Sequence, residues 1–216
     1  MTQRLSIADR SVRAVVFDLG NVMVEWNPER LYRRLILDDD SRAEFLTTVV
    51  TAEWNRALDG GLPFDAAIAD LQARHPRWAA EIAAYRDAWA EMLGPVDDEA
   101  VALVDELIAA GLPVYALTNW SAETFPLAEA RYRFLERFEG VVVSGREGIT
   151  KPDRAIFDLV CNRYGLDPAT TLFTDDGPAN VSGARAAGWQ AVLWQGAAEF
   201  RHHVVDCGVL PPGPTL

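Results

Sequence analysis

This 216-residue chain predicts an α/β fold built on a Rossmann-like parallel sheet. Three observations predict it: short β-branched apolar runs recur along the chain, patterns of helical period separate them, and one long helical stretch breaks the alternation after the first run. Strands that alternate with helices form parallel sheets covered on both faces, which is why their runs are continuously apolar. The first run, residues 14–17, is followed by Asp18-Leu19-Gly20-Asn21, a turn after a buried strand. Residues 28–94 hold no convincing strand but show helical patterns over 29–37, 41–58, 63–74 and 77–93. Asp38-Asp39-Asp40, Asp59-Gly60-Gly61 and His75-Pro76 supply turn and cap chemistry between them. We expect a core of residues 1–27 plus 95–216 and an inserted helical cap of residues 28–94. Such an insertion would lie over the carboxyl ends of the strands, where open α/β sheets bind ligands. Residues 97–110 then form a helix that opens with acids and stops at Gly111. Further strands are expected at 114–117, 141–143, 171–174 and 191–194, and Pro211-Pro212-Gly213-Pro214 reads as a frayed end.

Half the residues are hydrophobic and 24% are charged, the profile of a folded globular chain. Twenty Lys and Arg against 32 Asp and Glu give a net charge of -12, which argues against nucleic-acid partners. An anionic ligand would need a local device to overcome that field. The two cysteines, Cys161 and Cys207, are too few for a disulfide framework, so a cytoplasmic location is expected. Neither a signal peptide nor an 18-residue apolar span is readable, so no membrane partner is expected. Oligomeric state is not legible.

The chemistry gathers at the predicted strand ends. The first strand leads to Asp18, the second to Thr118-Asn119 and the fourth to Asp175-Asp176, while Lys151 precedes Pro152 after a loop at 145–150. In a parallel sheet these ends meet whatever their separation in sequence. Clustered carboxylates repel one another and are costly to desolvate, so a divalent cation and the lysine are their natural compensation. Mg²⁺ bound there would screen a carboxylate nucleophile, Asp18, from a small phosphorylated substrate. Lys151 would then pair with Asp18 and the phosphate, and Thr118 and the Asn119 N–H would donate to the developing charge.

The stretches Phe17-Asp18-Leu19-Gly20-Asn21-Val22, Leu117-Thr118-Asn119, Thr150-Lys151-Pro152 and Phe173-Thr174-Asp175-Asp176-Gly177-Pro178-Ala179-Asn180 resemble, in order and spacing, the four motifs of the haloacid dehalogenase-like hydrolase superfamily. The resemblance spans roughly residues 14 to 195, and the helical block resembles that family's all-helical cap. The subgroup is similar to small bacterial sugar-phosphate phosphatases. It implies Asp18 as nucleophile, Mg²⁺ held by Asp18, the Gly20 carbonyl and Asp176 with Asp175 assisting, and phosphate bound by Thr118, Asn119 and Lys151. One position departs from the pattern. Phosphatases of this family usually carry a second aspartate, the general acid, where this chain has Gly20. Glu25, close to where the cap begins, or a residue from the cap, or the substrate itself, would have to replace it, since a missing general acid costs roughly two to four orders of magnitude.

Two alternatives follow from the same resemblance. A metal-independent 2-haloacid dehalogenase would use Asp18 with a cap arginine, for which Arg30, Arg33, Arg34 and Arg42 are candidates. Adjacent Asp175 and Asp176 weigh against it, because in a dry, metal-free site they would repel a carboxylate substrate. A weakly catalytic protein that binds a phosphorylated ligand is the other. Asn119, Trp120 and Asn21 are substrate-binding candidates, although Trp120 also reads as packing beneath the cap. Trp54, Asn55, Arg56 and Asp59-Gly60-Gly61 fall at a helix end and turn that could face the cleft, with Trp54 reading as core. Asn180 is either a partner to the acids or a first-turn residue. Asp38 to Asp40 read as a solvated helix boundary, and the histidines lack convergent metal-ligand spacing.

Overall fold

The computed structural model describes residues 12–212. Residues 1–11, which fall in the stretch that shows no readable signal peptide, and the Gly213-Pro214 end of the proline-rich tail lie outside the described residues. Five parallel strands form the central sheet: β1 (Ala14–Phe17), β4 (Val114–Thr118), β5 (Gly140–Val143), β6 (Thr171–Asp175) and β7 (Gln190–Leu193), in the order β5-β4-β1-β6-β7. Each strand appears where its apolar run predicted it, within one or two residues.

Alternate side chains of β1 enter two separate cores. Val15 and Phe17 join one face, packed by α6 (Asp98–Ala109) and α11 (Ala197–Asp206), while Ala14 and Val16 join the other, packed by α9 (Arg154–Tyr164) and α10 (Pro178–Ala186). Both faces being covered, the strands need no polar alternation. Asp97 caps α6 by accepting from the Glu99 and Ala100 N–H groups, as the acidic start of that pattern foretold. Two short helices, α7 (Phe125–Arg131) and α8 (Ser144–Glu147), lie near the carboxyl end of the sheet. The stretch expected as a loop at 145–150 thus begins helical.

The helical block comprises α1 (Glu29–Leu35), α2 (Asp39–Glu44), α3 (Ala52–Asp59), α4 (Phe64–Arg74) and α5 (Ala79–Asp87). Tyr32, Phe45, Phe64 and Tyr85 fill its interior, which is continuous with the core on the α6 face of the sheet. The single helix expected over 41–58 is broken. Thr47, Thr48, Val49, Val50 and Thr51 are β-branched and lose rotamer freedom in a helix. The chain widens into a π-turn at Phe45–Val49, and Thr51 restarts it by accepting the Trp54 N–H at 3.1 Å.

Two strands were not foreseen. β2 (Val24–Trp26) and β3 (Leu93–Val96) pair antiparallel where the chain enters and leaves the helical block. Three- and four-residue runs interrupted by Gly94 and Pro95 carry no readable period. Their pairing nevertheless decides which side chains face the cleft.

Candidate active site

Because β1 lies at the centre of the sheet between β4 and β6, Asp18, Thr118 and Asp175 emerge side by side, with Asp176 one residue further. Asp18 is positioned by its backbone, whose N–H donates to the Thr174 carbonyl at 3.0 Å. One carboxylate oxygen, Oδ1, accepts from the Leu19 N–H at 2.7 Å and lies 2.8 Å from Lys151 Nζ. No donor among the described residues reaches Oδ2.

Lys151 is 1% exposed and its ammonium is fully engaged. It faces Asp18, lies 2.6 Å from Asp175 Oδ2 and donates to the Leu117 carbonyl at 2.9 Å, which accounts for all three N–H bonds. Asp175 is equally saturated, since its Oδ1 also accepts from the Gly177 N–H at 2.7 Å and from Asn180 Nδ2 at 2.9 Å. Asn180 is therefore a partner to the acids. Asn119 fixes the lysine's backbone from the other side: its Oδ1 accepts the Lys151 N–H at 2.8 Å and its Nδ2 donates to the Lys151 carbonyl at 3.0 Å.

Asp18, Asp175 and Asp176 bring carboxylate oxygens within 4.8 Å of one another. Against one ammonium, three carboxylates, Asp18 and Asp175 buried and Asp176 open to solvent, leave two formal negative charges, and the protonation equilibria register the strain. Burial raises the Asp18 carboxyl, Lys151 pulls it back and Asp175 raises it again, for a pKa of about 7. Asp176 is raised by burial and by Asp175, against the pull of Lys151 and a hydrogen bond from Asn21. Burial opposes the Lys151 charge, yet the two carboxylates outweigh it and its pKa ends above normal. An all-oxygen donor set with surplus negative charge fits a hard divalent cation. The same set would repel a carboxylate substrate if no cation were bound.

A cleft of about 160 Å³ opens over these groups, lined by Asp18, Gly20, Asn21, Asn119, Trp120 and Asp176 from the sheet side and by Trp26, Asn55, Asp59 and Trp89 from the ribbon and helical block. Sequence comparison matches residues 12–188 to the haloacid dehalogenase-like hydrolase family. The chain is a haloacid dehalogenase-like hydrolase. It is 32% identical over 178 residues to a sesquiterpene phosphatase from Aspergillus oryzae, covering 82% of this chain and 86% of that one. It is 31% identical over 121 residues to a phosphoserine phosphatase from Thermus thermophilus, covering 56% of this chain and 44% of that protein. A family enzyme from Bacteroides thetaiotaomicron, solved as an Asp-to-Ala mutant with magnesium and inorganic phosphate, superposes with a TM-score of 0.68 at 19% identity over 89% of this chain and 98% of its own. That last likeness speaks to the fold.

Several expected residues take other places in this hydrolase. Glu25 is displaced from the cleft: it pairs with Arg30 at 3.4 Å and borders a separate groove with Pro95 and Val96. The reason is the period of two in β2, which turns Trp26 toward the cleft and Glu25 away. Asn21 sits in left-handed backbone at φ 55°, and its side chain braces the Trp26 N–H at 3.0 Å as well as Asp176, so it holds the wall of the cleft in place. Thr118 is buried at the end of β4 and is not among the cleft-lining residues. Trp120 packs between Trp89 and Phe125, at ring distances of 5.3 and 5.5 Å, while also lining the cleft. Arg30, Arg33, Arg34 and Arg42 all pair with surface carboxylates, and none lines the cleft.

Of the residues at the end of α3, Asn55 and Asp59 line the cleft, while Trp54 packs edge-on against Tyr85 at 4.9 Å. Their four-residue spacing, which puts two side chains on one helix face, was the available signal. For Trp26 and Trp89 there was none, because their placement depends on the unforeseen ribbon.

Proposed function

We propose that this hydrolase is a Mg²⁺-dependent phosphomonoesterase that acts on a compact phosphate ester through phosphoryl transfer to Asp18. The observation that carries the reading is the asymmetry of the Asp18 carboxylate: Oδ1 is fixed by Leu19 and Lys151 while Oδ2 has no donor among the described residues. A carboxylate held this way presents one oxygen, already oriented, to an electrophile. Asp18 Oδ2 forms a bond to phosphorus, the ester P–O bond breaks, and water later releases phosphate and restores the carboxylate.

Asp18, Asp176 and the Gly20 carbonyl would hold Mg²⁺, with Asp175 behind them keeping Lys151 in place; the ion would supply the positive charge that lets an anionic phosphate approach. Lys151 favours the ionised form of Asp18 against its burial and holds it oriented. Its donors being occupied, it acts on the phosphate through its field more than through a free hydrogen bond. The helical block would serve as a cap that encloses the ester and excludes water. The volume of the cleft is below the roughly 300–1,000 Å³ usual for small-molecule sites, and its Trp26, Trp89 and Trp120 walls favour a compact organic group with an apolar face. The resemblance to sugar-phosphate phosphatases fits that size.

Steady-state hydrolysis of p-nitrophenyl phosphate with and without EDTA tests the reading, alongside chloride release from 2-chloropropionate. Phosphate release that EDTA abolishes and Mg²⁺ restores is expected. Chloride release unaffected by EDTA would establish the dehalogenase instead.

A further inference from the structure

Building on the phosphomonoesterase reading, we infer that Asp59, delivered by the helical block, is the general acid that protonates the departing alkoxide. Asp18, Asp59 and Asp176 are the acidic residues that line the cleft among the described residues, and only Asp59 stands outside the carboxylate cluster. Gly20, which also lines the cleft, has no side chain to compete: a Cβ built there would meet nothing within 4 Å.

The carboxyl is oriented by a relay. The buried Tyr85 hydroxyl donates to Asn55 Oδ1 at 2.6 Å, which aims the Asn55 amide so that Nδ2 donates to Asp59 Oδ2 at 2.9 Å. The Asp59 backbone is tied to the sheet side as well, its carbonyl accepting from Ser144 Oγ at 2.6 Å while that same oxygen accepts the Trp120 N–H at 2.9 Å. An acid borne on the helical block is thereby fixed against the loop that follows β4.

Its protonation state suits the task. Burial pushes its pKa up to about 7, against the pull of the Ser121 backbone N–H, of Lys151 across the cleft, and of Arg56 and Asn55 on its own helix. A proton donor with a pKa near the working pH is the most effective one. In the first step Asp18 Oδ2 bonds to phosphorus, the ester P–O electron pair goes to the leaving oxygen, and that oxygen takes the Asp59 proton, giving an alcohol and an Asp59 carboxylate. In the second, Asp59 takes a proton from the attacking water, the water oxygen bonds to phosphorus and the P–O bond to Asp18 breaks. Orthophosphate, a free Asp18 carboxylate and a protonated Asp59 result.

Leaving-group dependence tests this, because 2,4-dinitrophenolate needs no proton to depart and an alkoxide does. In Mg²⁺, rapid-quench measurement of phosphoenzyme formation is made on wild type and Asp59→Asn with 2,4-dinitrophenyl phosphate and with a small alkyl phosphate. The near-isosteric variant should form phosphoenzyme from the aryl ester within about threefold of wild type and from the alkyl ester roughly 10²- to 10⁴-fold more slowly. Equal slowing with both esters, the mark of a displaced helix or a lost binding contact, would overturn the assignment, as would no slowing with either. Wild type that forms phosphoenzyme from neither ester would instead overturn the phosphomonoesterase reading and the Asp59 role with it.

Discussion

Lys151 is the residue whose removal should cost the fold most per atom. Its ammonium lies between two buried carboxylates, and neither has another cation within ion-pair distance among the described residues. Breaking a buried pair by deleting one partner leaves an uncompensated charge worth about 3–5 kcal/mol. Lys151→Ala should therefore lower Tm by roughly 6–20 °C in metal-free buffer, at the 2–4 °C per kcal/mol expected for a chain of this size. Mg²⁺ should return part of that loss by offsetting the charge of Asp18 in its place. Thermal melts with and without Mg²⁺ decide the matter, and an unchanged metal-free Tm would contradict the electrostatic account. Asp18, Asp175 and Asp176 could be singled out in the sequence because each ends or follows an apolar run, whereas Lys151, set behind the loop at 145–150, was singled out by its Thr150-Lys151-Pro152 motif. That Glu25 borders a separate groove was not legible, because its facing depends on strand pairing that three residues do not encode.

Elements meet backbone against backbone where α8 begins. Gly145 donates its N–H to the Trp120 carbonyl at 3.0 Å, and a Cβ there would fall 2.4 Å from the Ala122 nitrogen and 2.8 Å from the Trp120 oxygen. Both obstacles are backbone, so the loop after β4 that carries Asn119 and Trp120 would have to move. Gly145→Ala should destabilise by about 1–3 kcal/mol, as overpacking does, and should raise KM for phosphate esters through the displaced Asn119. Chemical denaturation and steady-state kinetics would read the two effects, and a variant with native KM would show that the loop is not set by this contact. At the same scale the sequence placed the helix after 97 and all five sheet strands, whose signals are local. It missed the break in 41–58, where β-branched residues outweighed a helical apolar pattern.

Over the whole molecule, net charge and a carboxylate-rich cleft make stability depend on cation and proton. The acidic chain and the surplus charge at the cluster both favour Mg²⁺ in the folded state. A ligand at 100 times its Kd adds about 2.7 kcal/mol, or roughly 5–11 °C in Tm. Titrating Mg²⁺ during thermal melts should show that rise in wild type and lose it in Asp18→Asn, whereas a flat response would count against the cation site.

Asp59 supplies a pH signature. Its folded pKa, raised from 3.8 to about 7, means that the folded state binds the proton more tightly than the unfolded chain. The stability this contributes is complete below about pH 4 and is lost as pH rises through about 7. Asp59→Asn cannot ionise beside Lys151, Arg56 and the facing Asp18 and Asp176. Its Tm relative to wild type should therefore climb between pH 5 and 8, and a constant difference would refute the raised pKa.

The sequence by itself determined the layered α/β architecture, the helical insertion between the first two sheet strands and the identity of the carboxylate and lysine cluster. Each rests on periodicity, or on residues that follow a strand whose end the chain itself marks. Tertiary structure alone decided that β1 lies between β4 and β6, that Asn119 and Asp175 spend their side chains on Lys151, and that Asp59 of the helical block lines the cleft while Glu25 of β2 does not. Those are matters of which surfaces touch across 30 to 150 residues of chain. Contact at that range is fixed by packing and burial of whole elements, which no local pattern records.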